Sequence, residues 1–144
     1  MPSAEDSGPL LLDTHCWVWM KFRLVGEFSS DGTAAVESAA GRGALLVSII
    51  SVWELAMLEA KGRIQLQIPC EVWVREALAT PGLSLAPLTP EIAIDSTRLP
   101  GELHADPGDR ILVATARRLD ATLLTRDRKL LEYGRHRHAR ILSA

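Results

Sequence analysis

Apolar residues fall in two kinds of block along this chain. Short, mainly apolar runs at 9–12, 44–47, 83–86 and 121–124 are bounded by caps or breakers, and each predicts a buried strand. Between them lie longer stretches that open on an N-cap residue and close on glycine or proline. These predict helices at 14–22, from 29 or 30 to 39, and at 48–60, 69–79, 90–99, 107–119 and 127–133. The punctuation is specific in places. Thr89 followed by Pro90 and Glu91 is a helix start, and Asp106-Pro107-Gly108-Asp109 is another. Gly41-Arg42-Gly43, Gly62, Pro81-Gly82 and Pro100-Gly101 are stops. Residues 64–68 alternate apolar and polar, which predicts an extended arm or edge strand, and 140–142 predicts a final strand.

Strands that alternate with helices, and that are apolar throughout, predict an α/β fold with a short parallel sheet covered by helices on both faces. With 144 residues the chain is of ordinary single-domain size, and 47% apolar with 24% charged residues is a globular composition. The expected organisation is a loose leader at 1–8 and one domain at 9–144. No apolar run reaches the ~18 residues that cross a bilayer. The acidic start of the chain lacks the basic region of a signal peptide, so a cytoplasmic protein without membrane contact is expected. Cys16 and Cys70 lack neighbours at metal-ligand spacing and are expected as buried free thiols.

Charge changes this picture by its distribution. Residues 1–109 carry 7 Lys+Arg and 15 Asp+Glu, a balance of -8, whereas residues 110–144 carry 9 and 3, a balance of +6. The sum is the overall -2, and such asymmetry points either to a polyanionic partner or to solvated arginine faces. The run from Arg135 to Arg140 is a candidate phosphate contact.

The candidate chemistry lies in acids at strand ends. Asp13 follows the first strand, Asp127 follows the strand ending at Leu124, and Asp109 begins the helix before it. In open α/β sheets such positions border one crevice. Helix capping is the structural alternative, and it is strongest for Asp106, which fits the N-cap position with Asp109 at N3. Capping does not explain Glu54, which lies inside a helix with Ile50, Met57 and Leu58 among its face-sharing neighbours. A buried carboxylate there needs a cation, either an arginine or a metal. Converging carboxylates without Cys or His favour a hard divalent ion, Mg2+ or Mn2+ rather than zinc. His15 and His104 read as surface or hydrogen-bonding residues. Trp17, Trp19, Trp53 and Trp73 read as core, or in part as the lining of a groove for a partner.

Five ordered blocks then carry a resemblance. They are Leu10-Leu-Leu-Asp-Thr-His15, Val47-Ser-Ile-Ile-Ser-Val-Trp-Glu-Leu-Ala56 with Gly62-Arg-Ile-Gln-Leu66, Leu88-Thr-Pro90, Leu103-His-Ala-Asp-Pro-Gly-Asp-Arg-Ile-Leu-Val-Ala-Thr-Ala116 and Leu123-Leu-Thr-Arg-Asp127. Over about residues 10–134 the chain resembles the PIN-domain ribonucleases, most closely the VapC-type toxins of toxin–antitoxin modules. The resemblance implies an acidic quartet of Asp13, Glu54, Asp109 and Asp127, with Asp13 and Asp109 as direct metal ligands. It also implies a hydrolase acting on single-stranded or loop RNA, usually a dimer, held inactive by an antitoxin. Arg110, Arg126 and Arg128 are candidate RNA grips, and Thr14 and Thr125 are candidate outer-shell hydroxyls. Gly108, where many relatives carry an aromatic residue, and the basic 135–140 run both depart from the pattern.

Two other classes do not fit these residues. A phosphoacceptor receiver domain needs a second acid beside Asp13, and an aspartyl-nucleophile phosphatase needs an Asp two places after it; Thr14 and His15 stand there instead. A PIN-like domain with a non-catalytic RNA- or protein-binding role is the remaining alternative.

Overall fold

The structure, a computed structural model, describes residues 8–22 and 27–144. Most of the predicted leader, and Gly26 of the loop expected after the first helix, lie outside the described residues. Five strands form one all-parallel sheet: β1 (Leu10–Leu12), β2 (Leu45–Ser48), β3 (Leu83–Ala86), β4 (Thr122–Thr125) and β5 (Arg140–Ser143), in the order β3-β2-β1-β4-β5. Chain progression runs outward from β1 through β2 to β3, then resumes on the other side of β1 with β4. The strand order therefore reverses between β1 and β4, paired through Leu12 and Leu124, and ligand crevices open at such a reversal.

Both faces of the sheet are buried at its central strands β1, β2 and β4, which is why these read as apolar runs. Alternate β1 residues point opposite ways. Leu10 and Leu12 join one cluster with Trp17, Leu55 and Trp73, while Leu11 joins another with Leu112, Val113, Leu130 and Tyr133. The first cluster is closed by α1 (Thr14–Lys21), α2 (Ser30–Gly41) and α4 (Cys70–Leu78), the second by α6 (Pro107–Arg118) and α7 (Arg128–Arg135). Between β2 and α4, α3 (Ile49–Ala60) gives Leu55 to the first cluster and packs Ile50 on the second. Burying each of these leucines fully contributes about 1.5–3 kcal/mol.

Two expectations need adjusting, and one pair of alternatives is decided. The helix expected to reach Leu99 is α5 (Pro90–Ser96), because the Ser96 and Thr97 hydroxyls donate back to the Ala93 and Ile94 carbonyls at 2.7 Å and the chain turns away. Residues 64–68 form an arm rather than a strand; Ile64, Leu66 and Ile68 pack inward while Gln65 and Gln67 are exposed. Pro69 is the N-cap of α4 instead of a residue in its first turn. Cys16 is buried and Cys70 half-buried, both free. Among the described residues no helix is long and apolar enough to cross a membrane.

Candidate active site

Asp13 leaves β1 at its carboxyl end and caps α1, so its placement follows from the strand stopping and the helix starting there. One carboxylate oxygen accepts the Cys16 N–H at 3.0 Å and the other accepts the Thr125 hydroxyl at 2.5 Å. Thr125 is the last residue of β4 and also accepts the Asp127 N–H at 3.0 Å, so one hydroxyl ties the ends of both switch-point strands together. Asp127 caps α7 by accepting the Leu130 N–H at 3.0 Å. Asp106 caps α6 by accepting the Asp109 N–H at 2.8 Å.

Asp109 sits at the third position of α6. Among the described residues its carboxylate accepts no hydrogen bond. Burial, and then the negative charges of Asp106, Asp127, Glu54 and Asp13, push its pKa up to about 7. Glu54 reaches in from the second turn of α3. Its Oε2 accepts the Thr14 hydroxyl at 3.3 Å, while its Oε1 is buried with no hydrogen-bond partner. Burial and the charges of Asp106 and Asp13 raise its pKa, against the opposing Thr14 hydrogen bond. A Cβ at Gly108 would stand 2.5 Å from that same Oε1, so the missing side chain is what seats the Glu54 carboxylate against α6.

Asp13, Glu54, Asp106, Asp109 and Asp127 line one cleft of about 490 Å³, with Thr14, His15, Trp19, Leu112 and Arg126. Capping and convergence are thus not alternatives: three of the five acids cap helices, and all five face the cleft. Asp106, which the sequence marks only as a cap, adds the largest charge acting on Glu54 and on Asp109. Its exposed edge of the cleft had no sequence signal beyond the neighbouring Asp109.

The arginines divide. Arg126 lines the cleft, with its guanidinium 5.1 Å from the Trp19 ring centre. Arg110 does not line the cleft: its guanidinium donates to the Ser96 and Leu103 carbonyls at 2.8 and 2.7 Å and fastens the 97–106 loop to α6. Arg128 is exposed at the start of α7, outside the cleft lining. The basic run is partly consumed within its own end of the molecule, Arg135 and His136 by Glu132 and Arg140 by Asp120. The Arg117 guanidinium donates to the His138 carbonyl. His104 lies by Glu102, away from the cleft. Trp17 and Trp73 are core, Trp53 is 57% exposed, and Trp19 borders the acids.

Among the described residues no three acid, histidine or cysteine side chains are gathered into a ready-made metal cage. The donor set nevertheless fits a hard divalent ion. The acids offer only oxygen donors, one buried oxygen of Glu54 is unpartnered, and burial together with neighbours of the same charge holds two carboxylates above their usual range. Magnesium takes one or two carboxylates directly and completes its shell with water, which asks less of the protein than a full cage.

Known proteins carry the same frame. Residues 10–136 match the sequence profile of the PIN domain. Ribonuclease VapC22 of Mycobacterium tuberculosis is 36% identical over 134 residues, covering 91% of this chain and 94% of the relative. VapBC2 of Rickettsia felis bound to a DNA fragment from its promoter superposes with a TM-score of 0.67 at 15% identity, covering 93% of this chain and 97% of that one. DNA-bound VapBC of Salmonella typhimurium gives a TM-score of 0.63 at 16% identity, covering 94% and 98%. With the acids at the β1–β4 reversal, a profile spanning nearly the whole chain and a full-length relative in agreement, the chain belongs to the PIN-domain family, in its VapC branch.

Proposed function

We propose that this chain is a metal-dependent endoribonuclease, the toxin of a toxin–antitoxin pair, that hydrolyses RNA phosphodiester bonds with Mg2+, for which Mn2+ can substitute. The observation that carries this reading is the imbalance inside the cleft. Asp109 and Glu54 are held above the ordinary carboxylate range by burial and by their acidic neighbours, and one Glu54 oxygen has no partner. Selection for stability alone does not assemble such a site; a cation resolves it.

In this reading Asp13 and Asp109 hold the ion. When bound, it supplies positive charge at the phosphate and makes water more acidic. Glu54, steadied by Thr14, and Asp127, fixed by the Leu130 N–H, orient the attacking water and take up its proton. Water oxygen bonds to phosphorus as one P–O bond to ribose breaks, and the departing ribose oxygen takes a proton from solvent water. Arg126 holds a flanking phosphate. Arg110 leaves the RNA-contacting set and becomes a fastener of the loop leading into α6. Arg128 keeps a role only with RNA long enough to leave the cleft.

The likeness to ribonuclease VapC22 and to VapBC structures supports a cognate antitoxin as partner; a homodimer and a cytoplasmic setting are part of the same proposal. The test is cleavage of mixed RNA with Mg2+, with chelator, and by Asp13→Asn. Cleavage is expected only in the first. Undiminished cleavage in chelator overturns the metal mechanism, and RNA binding without cleavage under any divalent ion favours the non-catalytic role.

A further inference from the structure

The acids account for how one phosphate is handled, but not for how the nucleosides beside it are held. Five carboxylates line the cleft against one arginine. A polyanion entering such a place gains little from general attraction, unlike RNA on a basic groove. Single-stranded RNA therefore needs a contact there that is not ionic. Stacking of an unpaired base on an aromatic ring is that contact, and it tolerates any base because every base has a π face.

Among the described residues, the cleft is lined by two π-bearing side chains, His15 and Trp19. They stand one turn apart on α1, immediately after Asp13, so the helix that Asp13 caps also aims both rings along the cleft. Their ring planes differ by 20° with centres 6.4 Å apart. The indole is fixed: Phe28 meets it edge-on at 5.8 Å, and Arg126 lies 5.1 Å from its centre. Arg126 is held in turn by the Ala144 carbonyl at 3.2 Å and by Glu27 at 3.8 Å. His15 is exposed. An anchored ring, an open ring and a cation beside a phosphodiester-cutting cleft match the three parts of a nucleotide's neighbourhood.

We propose that His15, Trp19 and Arg126 form a nucleobase subsite, in which an unstacked base next to the scissile phosphate extends the His15–Trp19 stack and its own phosphate meets Arg126. The inference rests on the ribonuclease reading for its ligand. It makes the cleft selective for single-stranded RNA, since a paired base cannot leave its helix to reach the rings without unstacking.

The test uses the full chain with Asp13→Asn as a non-cleaving background, since Asn retains the capping oxygen for α1. Binding of a single-stranded RNA oligonucleotide is followed by affinity and by tryptophan emission. RNA is expected to quench emission, and adding Trp19→Ala should weaken binding about 10-fold, the scale of one base stack. Trp19→Phe keeps a π face and should retain most of the affinity, which separates stacking from lost packing if Trp19→Ala also lowers stability. His15→Ala, at an exposed position, should cause a smaller loss of about 3-fold. Trp53→Phe, outside the cleft lining, should change neither affinity nor quenching. An oligonucleotide with abasic sites should bind the parent and the Trp19→Ala protein alike.

Equal affinity of the parent for intact and abasic RNA overturns the subsite, as does unchanged RNA binding by Trp19→Ala. Loss of antitoxin binding with unchanged RNA binding in Trp19→Ala assigns the rings to the protein partner and also overturns it. The ribonuclease reading is judged separately, by Mg2+-dependent cleavage in the unmodified chain: quenching without cleavage sinks that reading and leaves the subsite standing, whereas cleavage indifferent to Trp19 does the reverse.

Discussion

Asp13 and Asp109 share one cleft and receive opposite treatment. At the β1–β4 end, each Asp13 oxygen has a donor, Cys16 N–H for one and the Thr125 hydroxyl for the other, and the side chain is only 8% exposed. At the α3–α6 end, Asp109 accepts nothing within the described residues, Glu54 has an orphan oxygen, and both are pushed toward protonation. The first region is built to stay the same whether or not a cation is present. The second is held in an unfavourable charge state that a cation would relieve. Rigidity on one side and electrostatic repulsion on the other fit the proposed binding of an ion in a defined place.

The largest expected effect separates the two sides directly. Asp13→Asn and Asp109→Asn should each lower cleavage on the order of 1,000-fold, as loss of one preorganised charge at a reacting centre does. They should part in stability without metal. Asp109→Asn removes repulsion and should raise apo stability at pH 8 by on the order of 1 kcal/mol after solvent screening, whereas Asp13→Asn should not. Thermal unfolding of both apo proteins reads this, and equal shifts in the same direction would break the contrast.

Next in size is Thr125→Val, which keeps the shape of the side chain and deletes the hydroxyl that joins Asp13 to the Asp127 N–H. Activity should fall about 10- to 100-fold, as for other groups that orient metal ligands. Stability should fall by roughly 1–3 kcal/mol because buried polar partners are left unmade. Wild-type kinetics in this variant would show that the Asp13 side needs no such support.

Gly108→Ala should act on the other side and more gently. The added methyl meets the free end of a flexible Glu54 side chain, so the carboxylate moves instead of the backbone. Activity and Mn2+ affinity should drop about 10-fold while apo stability holds or rises, since alanine loses less backbone entropy than glycine in the first turn of α6. Unchanged Mn2+ affinity would mean that the seat of Glu54 is of no consequence to the site.

The smallest effect is a pH slope. Asp109 is raised in the folded protein, to about 7 from its ordinary 3.8. The folded state therefore binds the extra proton, its stabilising contribution is fully present below about pH 4, and it is lost as pH rises through about 7. Apo melting temperature should decline between pH 5 and 8, and divalent ion binding near pH 6.5 should release protons, measurable by calorimetry in buffers of different ionisation heat. An apo melting temperature that rises with pH across this window would contradict the assignment.

Local signals in the sequence were enough for much of this. Caps and breakers located α1, α3, α6 and α7 to within about two residues because capping is a contact between near neighbours. Glu54 stood out because an acid among Ile50, Met57 and Leu58 has no local excuse. Where the structure departs from expectation, the cause is a contact beyond the reach of capping and helical periodicity. Arg110 looked free for RNA until the fold brought the Ser96 and Leu103 carbonyls to it. Four tryptophans looked equivalent until packing sent Trp17 and Trp73 inward and left Trp19 on the cleft and Trp53 on the surface.

The sequence by itself determined the main element types and the parallel sheet, because periodicity and capping use only neighbours along the chain. Its ordered motifs carried the family, and with it Asp13, Glu54, Asp109 and Asp127 as candidates. Tertiary structure alone decided that β4 lies beside β1, and with it that Thr125 braces Asp13; it also decided that Asp106 presses on Glu54 and that Gly108 seats a carboxylate from α3. Those facts depend on the strand order β3-β2-β1-β4-β5, which sets distances between residues up to 112 positions apart. Electrostatic repulsion and hydrogen-bond satisfaction depend on such distances, not on sequence separation.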